Sequence, residues 1–343
     1  MDGNISIRTD RNPDYFALLK LRGEYLVLVA EENGKIIGTI SATAGESYWS
    51  GRSERIFYLA DFKVDPAYRS SFVAVKLVKE LHLKLIRGNA DILFCVIADG
   101  NKAVAGFLNG RIGLPPFIQT GKFYINLMPP NFSGIKKDPY EIKRIEINEE
   151  LLSFYREFRS GYDFAFHLSS VSLSDTWHIA ALKGKEICAA IAVTDTSSVR
   201  QNVLISLQGY LKFIYLIIRL FRIFLKKIPL PGINQTIRML YIRSFAVKRG
   251  EGKALRLLIQ NARYSLSDEG FSLLAWGLHE KDQNNNILKG IPKIRFVSLP
   301  FFTSLADNKA EIEVITKGRL FLLLNYLITT IKKNPGKKCY KRL

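Results

Sequence analysis

Two hydrophobic periods alternate along the chain. Short apolar runs with β-branched residues read as strands, and stretches with apolar positions three and four apart read as amphipathic helices. Met1 to Asn12 is a polar lead-in, and Asp14 to Leu21 has a short helical pattern. Tyr25 to Ala30 is a strand, Glu31-Glu32-Asn33-Gly34 carries the Asn-Gly hairpin signature, and Lys35 to Thr43 returns as the partner strand. A polar loop from Gly45 to Glu54 leads to a third strand, Ile56 to Val64. After the Asp65-Pro66 turn a helix runs from Ser70 or Ser71 to Ile86. Its apolar positions Phe72, Val75, Leu77, Val78, Leu81 and Leu85 fall mostly on one face. Asp91 to Ala98 is a strand, Asn101 to Asn109 a short helix ended by Gly110 and Gly113, and Phe123 to Met128 a last strand.

Met128 to Pro139 holds Pro129, Pro130, Gly134 and Pro139 in a polar filling and reads as a linker. A new unit starts at Ile142, with a helix from Glu149, and the order of elements then repeats. Ile179 to Ile187 lies over Val29 to Ile37, both being strand, glycine turn, strand. Phe245-Ala246-Val247 lies over Phe62-Lys63-Val64, with Arg249 near Arg69. Leu255 to Leu266 followed by Phe271 to Trp276 matches Val73 to Ile86 followed by Ile92 to Ile97. Each unit mixes an antiparallel hairpin with helices. The fold class is therefore α+β, a mixed-sheet α/β arrangement of two units, each a twisted mixed sheet flanked by helices. The expected division is an N-terminal unit over residues 1–128, a linker over 129–141 and a C-terminal unit over 142–314. The C-terminal unit carries an insertion at about 203–236, and an apolar helix with a basic tail follows over 315–343.

Composition narrows the choice of partners. A chain of 343 residues has room for two domains, and its formal charge of +19 calls for acidic partners: nucleic acid, an anionic membrane surface or phosphorylated ligands. Cys95, Cys188 and Cys339 have no metal or disulfide spacing, and the first two sit in apolar runs as buried thiols, which fits a reducing compartment. The first residues lack the apolar core of a signal peptide, and no apolar run reaches the roughly 18 residues of a membrane span. The expected location is cytoplasmic.

The stretch Val247-Lys248-Arg249-Gly250-Glu251-Gly252-Lys253-Ala254-Leu255 joins a strand to a helix through glycines. Backbone N–H groups at such a break, with the helix dipole, form an anion site suited to phosphate. Gly252 lets the backbone approach without a Cβ in the way. A glycine turn capping an ordinary helix would have the same residues.

Arg249, Gly252 and Ala254 match the strand-to-helix signature of the acyl-CoA N-acyltransferase (GNAT) superfamily: Arg or Gln, two residues, Gly, one residue, then Gly or Ala. In the first unit Val64, Pro66 and Arg69 match in context, but Phe72 replaces the glycine, with Ala74 in the last position. Asn101, Ala103 and Ala105 resemble the superfamily's helix start after its next strand. The chain thus resembles a tandem GNAT protein, well over Tyr25 to Leu127 and more loosely over Trp177 to Pro292. The resemblance implies an enzyme that moves an acyl group from acetyl-CoA or a longer acyl-CoA to an amine, with no metal. It implies pyrophosphate contacts from Val247, Arg249, Gly250, Gly252, Lys253, Ala254 and Leu255, or from Val64, Arg69, Ser71 and Asn101. The intact glycine loop makes the second unit the expected cofactor site, with Glu251 facing solvent. A base is expected beside the loop. Asp61 stands at that place in the first unit and Ser244 in the second. Asp61, Tyr241, Tyr264 and Glu280 are the candidate catalytic residues, and His279 at a strand end reads as structural.

Between these motifs, Leu207 to Lys227 is helical in period. Gln208, Lys212, Tyr215, Arg219, Arg222 and Lys226 share one face and apolar residues cover the rest. Leu320 to Ile331 is apolar and precedes a polybasic tail. Such segments suit an anionic membrane surface, and the helix suits equally a packing site on the protein. The positive charge travels with apolar helices and no nucleic-acid motif accompanies it, so nucleic acid is the disfavoured partner. Two functions of different class follow: an acyl-CoA-dependent N-acyltransferase acting on a small-molecule or lipid amine, or a catalytically silent tandem protein that binds a membrane or a partner.

Overall fold

The computed structural model describes residues 5–49, 52–88, 90–111, 113–132, 139–162, 164–167, 176–220, 229–305 and 320–321. In the first half, β1 (Ile5–Asp10) and α1 (Ala17–Arg22) precede the hairpin of β2 (Tyr25–Glu32) and β3 (Lys35–Trp49). Asn33 and Gly34 both take positive φ at its turn, as a two-residue hairpin of matching twist requires. β4 (Arg52–Val64) runs antiparallel to β3, and α2 (Val73–Arg87) crosses over to β5 (Ile92–Ala98), parallel to β4. α3 (Ala105–Leu108), β6 (Ile118–Gln119) and β7 (Phe123–Met128) follow.

The second half opens with β8 (Glu141–Ile145), α4 (Glu149–Ser160) and β9 (Phe164–Phe166), then the hairpin of β10 (Trp177–Lys183) and β11 (Glu186–Asp195). After β12 (Gln201–Leu207), α5 (Gly209–Leu220) and β13 (Thr236–Ile237), it repeats the first half. β14 (Met239–Val247) is antiparallel to β11, and α6 (Gly252–Ser265) crosses to β15 (Leu273–His279), parallel to β14. β16 (Ile294–Ser304) and β17 (Leu320–Phe321) end the described chain.

The helices form where apolar spacing gives them a face to bury. α2 buries Leu77, Val78, Leu81 and Leu85 against the sheet, and α6 buries Ala254, Leu255, Leu258, Ile259 and Ala262. Each large apolar side chain so buried contributes about 1.5–3 kcal/mol. α4 is started by Asn148, whose side chain accepts from Leu151 N–H, and by Glu149 and Glu150 at the positive end of the dipole.

The two halves do not close separately. In the large mixed sheet the order runs β5–β16–β7–β15–β14. β16, from the second half, lies between two strands of the first, and β7, from the first, completes the second by pairing with β15. β9 likewise adds to β3. The linker and the boundaries at 128 and 142 divide the chain, not the sheet.

Several expectations change. The polar lead-in is strand β1, which pairs with β12, so the insertion begins with a strand of a small sheet, β1–β12–β13. The expected loop at Gly45 to Glu54 is mostly extended, because β9 takes up Ser47, Tyr48 and Trp49. Phe72 stands 76% exposed before α2 and is not in the core. The apolar tail helix, the polybasic tail, Cys339, and Arg222 and Lys226 lie outside the described residues.

Candidate active site

The two repeats meet the same geometric problem. β4 and β5 pair in parallel from Ile56–Ile92 to Leu59–Cys95 and then part. β14 and β15 pair from Met239–Leu273 to Tyr241–Ala275 and then part. A register shift lies just beyond the last pair in each case, near Asp61 in β4 and Arg243 in β14. Each shift bends the strand away from its parallel neighbour and opens a fork, with a helix N-terminus at its mouth.

In the first fork the carboxylates beside the turn are engaged, Glu32 by the Tyr68 hydroxyl at 2.5 Å. Val64 ends β4, and Asp65 is spent on Lys35 at 2.9 Å and on Ala67 N–H at 3.0 Å. Ser71 Oγ donates to Tyr68 carbonyl at 2.7 Å and accepts from Val73 N–H at 3.3 Å, which shapes the turn into α2. The first turn of α2 has no acidic residue. Its first amides have no partner inside the helix and are turned toward the loop. Arg69, Lys63 and Lys76 are exposed around it. Phe72 points out to solvent and does not fill the cradle. Asn101 Oδ1 accepts from Ala103 N–H at 3.3 Å after β5, and half-buried Phe62 leans on Phe107 with ring centres 5.3 Å apart.

The second fork is closed. Phe245 and Trp276, both buried, meet edge to face at 5.0 Å across it, and Phe158 reaches Phe245 from α4 at 5.3 Å. Arg256 of α6 donates to the carbonyls of Ile287 and Lys289 (2.9 Å to the latter), tying the helix start to the segment after β15. Arg249, Gly250 and Lys253 are exposed, and Gly252 has open space at its Cβ position. Val247 and Gly252 are half-buried, while Ala254 and Leu255 are buried. Glu251 does not face solvent alone: the Tyr140 hydroxyl donates to it at 2.5 Å, a bond that pushes the Tyr140 pKa up to about 12. A carboxylate thus stands in the turn where a pyrophosphate would have to lie. Packed aromatic rings at the fork and the Glu251 carboxylate in the turn distinguish this loop from that of the first unit.

The candidate catalytic residues are not brought together. Asp61 is buried with φ 55°, and Arg11 grips it with two hydrogen bonds of 2.9 Å. Ser41 Oγ donates to it at 3.1 Å. Burial opposes its charge, but Arg11 outweighs burial and holds the carboxyl below its usual range, so Asp61 is a weak base as it stands. Tyr241 precedes the second fork and is buried, with its hydroxyl taking Asn202 Nδ2–H at 2.6 Å. Tyr264 is near the last turn of α6, 12 residues from Gly252, which is about 18 Å along a helix. Glu280 accepts from Lys122 N–H at 3.0 Å and fastens the loop before β7. His279 is buried against the Thr120 carbonyl at 2.7 Å, and burial lowers its pKa. Tyr264 is thus exposed far along α6 from the turn, and Glu280 lies at the end of β15 against the loop before β7. At the second bulge Arg243 replaces a carboxylate.

Beside Asp61 lies a set of buried polar groups that sequence reasoning missed. β1 pairs with β12 so that Asp10 faces Gln201, which puts Arg11 and Arg200, one residue past each, side by side. Arg11 also stacks on Tyr15 at 4.8 Å, and Arg22 lies over the Tyr58 ring at 5.1 Å. Tyr58 faces away from α2, whereas its neighbours Phe57 and Leu59 pack with Leu77 and Leu81. The set therefore occupies the side of the sheet opposite α2. No periodicity marks these residues, because each comes from a segment end. Among the described residues no group of three His, Cys, Asp or Glu side chains is placed to hold a metal.

Paired forks at helix N-termini, repeated in one sheet, define the acyl-CoA N-acyltransferase fold in two GNAT-like units. Residues 4–114 match the family model for the acetyltransferase (GNAT) family. A comparison with curated protein sequences gives no match. Among solved structures, Saccharomyces cerevisiae N-myristoyltransferase with bound myristoyl-CoA aligns at TM-score 0.56 and 11% identity, over 88% of this chain and 76% of that one. A second structure of that enzyme with bound myristoyl-CoA gives 0.55 and 11%, over 87% and 71%. A GCN5-related N-acetyltransferase from Anabaena variabilis ATCC 29413 gives 0.49 and 11%, and this chain spans 66% of its length while 84% of this chain is covered. The family match thus covers residues 4–114, and the N-myristoyltransferase structures share the fold over most of this chain.

Proposed function

We propose that the protein is an acyl-CoA-dependent N-acyltransferase that takes its acyl-CoA, acetyl or longer, in the fork of the first unit. The observation that carries this reading is the contrast between the forks. The first has Arg69, Lys63 and Lys76 exposed around its helix start, and at the second Phe158, Phe245 and Trp276 pack on one another. The first-turn amides of α2 with Arg69 would receive the pyrophosphate. Acyl-CoA supplies the thioester. The acceptor amine attacks its carbonyl, a C–N bond forms as the C–S bond breaks, and the amine proton ends on the departing thiol. Backbone N–H groups of β4 past Leu59, where its pairing with β5 ends, suit the negative charge that develops on the carbonyl oxygen.

Acetyl-CoA and longer acyl-CoAs should raise the melting temperature of the full chain. Ala74→Trp, which puts a bulky side chain in the first turn of α2, should remove the shift, and Arg69→Ala should weaken binding several-fold. Gly252→Trp should leave it intact. Loss with Gly252→Trp alone would move the site to the second unit, and no binding of any acyl-CoA would sink the proposal.

A second observation supports contact with an anionic bilayer. On α5, Tyr210, Phe213 and Leu220 are 63%, 66% and 74% exposed, and Leu216 and Ile217 are exposed beside them. The helix carries Lys212 and Arg219 and no acidic residue. Apolar side chains in water flanked by cations are the composition of an interfacial helix. Among the described residues no helix is long and apolar enough to cross a membrane. Vesicles with phosphatidylglycerol should float the protein, pure phosphatidylcholine vesicles should float it less, and Phe213→Ser with Leu220→Ser should abolish flotation. Flotation that survives the double change would remove α5 from the reading.

A further inference from the structure

The side of the first fork opposite α2 has an excess of positive charge. Arg11, Arg22 and Arg200 are drawn together there around one carboxylate, Asp61, which Arg11 engages fully. Arg200 is 5% exposed. One Nη donates to Asn202 Oδ1 at 3.2 Å and, weakly, to Thr9 Oγ1 at 3.5 Å, but its Nε–H is buried with no hydrogen-bond partner among the described residues. The side chains acting most on it are Tyr241, Arg11, Arg22 and Tyr58. Burial, opposed by Tyr241 and reinforced by Arg11 and Arg22, lowers its pKa to about 10, still fully charged at neutral pH. A buried guanidinium that cannot lose its proton, with like charges beside it, is costly unless an anion completes the site. Thr43 Oγ, buried and in register with Tyr58 under Arg22, is a second polar atom with no partner among the described residues. The nearby hydroxyls of Tyr15 and Tyr241 offer neutral donors and no negative charge.

We propose that this cluster binds an oxyanion, a carboxylate or phosphate carried by the acyl acceptor, with Arg200 as its fork-shaped ligand. That the anion belongs to an acceptor rests on the acyltransferase reading, while the anion site itself does not. Arg200 presents parallel N–H donors suited to either oxyanion. Its position past the β4–β5 divergence, on the side away from α2, leaves the amine of the same molecule to approach the fork. The acceptor class is then an amine bearing an acidic group, and neutral and polycationic amines are excluded.

Two measurements test this on the full chain. The first is thermal shift with inorganic phosphate and with acetate at constant ionic strength, chloride as control. Wild type should be stabilised by one or both oxyanions, and the stronger identifies the acceptor's group. Arg200→Met should lose at least nine-tenths of that shift, whereas Arg69→Ala should retain it. Because methionine removes a buried unpaired charge, Arg200→Met should melt no lower than wild type in chloride. A lower melting temperature would make Arg200 a structural strut and overturn the proposal. Phosphate stabilisation that persists in Arg200→Met would do the same, since it would arise at the α2 loop. The second is thiol release from acetyl-CoA with matched amines: an amino acid against its amide, and an amino sugar phosphate against the amino sugar. Acidic members should be preferred, and Arg200→Lys should raise their KM at least tenfold with kcat little changed. Preference for neutral partners would refute the acceptor assignment. If acyl-CoA fails to bind while the Arg200-dependent phosphate shift is present, the acyltransferase reading falls and the anion site stands.

Discussion

Asp61→Asn isolates the charge at the centre of the molecule. Asparagine accepts the left-handed backbone that Asp61 adopts and keeps its volume, so the change removes the negative charge and little else. What is lost is a two-pronged ion pair with both N–O distances at 2.9 Å, whose side chains are only 8% and 3% exposed. Removing one member of such a buried pair strands the other charge and costs about 3–5 kcal/mol. The stranded group here is Arg11, which already has Arg200 and Arg22 nearby, so the upper half of that range is expected. For a large chain, with about 2 °C lost per kcal/mol, the melting temperature should fall by about 8–10 °C. In a double-mutant cycle, Arg11→Met should recover part of the loss in the Asp61→Asn background. The pH dependence carries a sign. The folded-state pKa of Asp61 is depressed, so its contribution is complete above the unfolded value of about 3.9 and is lost as pH falls through the lower folded value. The gap between wild type and Asp61→Asn should therefore be constant from pH 5 to 7 and shrink only below about pH 4. Urea unfolding at several pH values measures it. A loss under about 1 kcal/mol, or a gap that does not close in acid, would show that Asp61 is not the partner that pays for burying Arg11.

Three other changes separate architecture from chemistry. Phe245→Ala should cost about 3–5 kcal/mol by chemical denaturation, because the ring is buried against Trp276 and Phe158, yet leave acyl-CoA affinity of the first fork unchanged. Gly121→Ala should lower the melting temperature: φ is 100°, and an added Cβ would stand 2.4 Å from Glu280 Oε1 and 2.8 Å from His279 Nε2. A strain of at least about 1–3 kcal/mol is expected, and an unchanged melting temperature would contradict it. Asn148→Ala should remove about 1 kcal/mol by freeing the Leu151 N–H at the start of α4, readable as a shift in urea midpoint with unchanged slope.

The local pattern of the sequence determined the elements and their repetition. Asn33-Gly34 and Lys183 to Glu186 close the two hairpins, apolar spacing sets the buried faces of α2 and α6, and the strand-to-helix turns after Val64 and Val247 sit where expected. These features rest on interactions between residues close in the chain, and hydrophobic period and turn chemistry record such interactions directly. The exchange of β7 and β16 between the halves, the pairing of β1 with β12, and the meeting of Arg11, Asp61 and Arg200 did not show in any local pattern. Nor did the difference between the forks. An intact glycine signature surrounds Gly252, while aromatic side chains from α4, β14 and β15 pack together at the fork, and Tyr140 engages Glu251 in the turn. A signature states what the backbone of one loop can do. Whether a ligand has room depends also on side chains distant in the chain, such as Phe158, 87 residues before the Phe245 it meets, and packing alone brings those together.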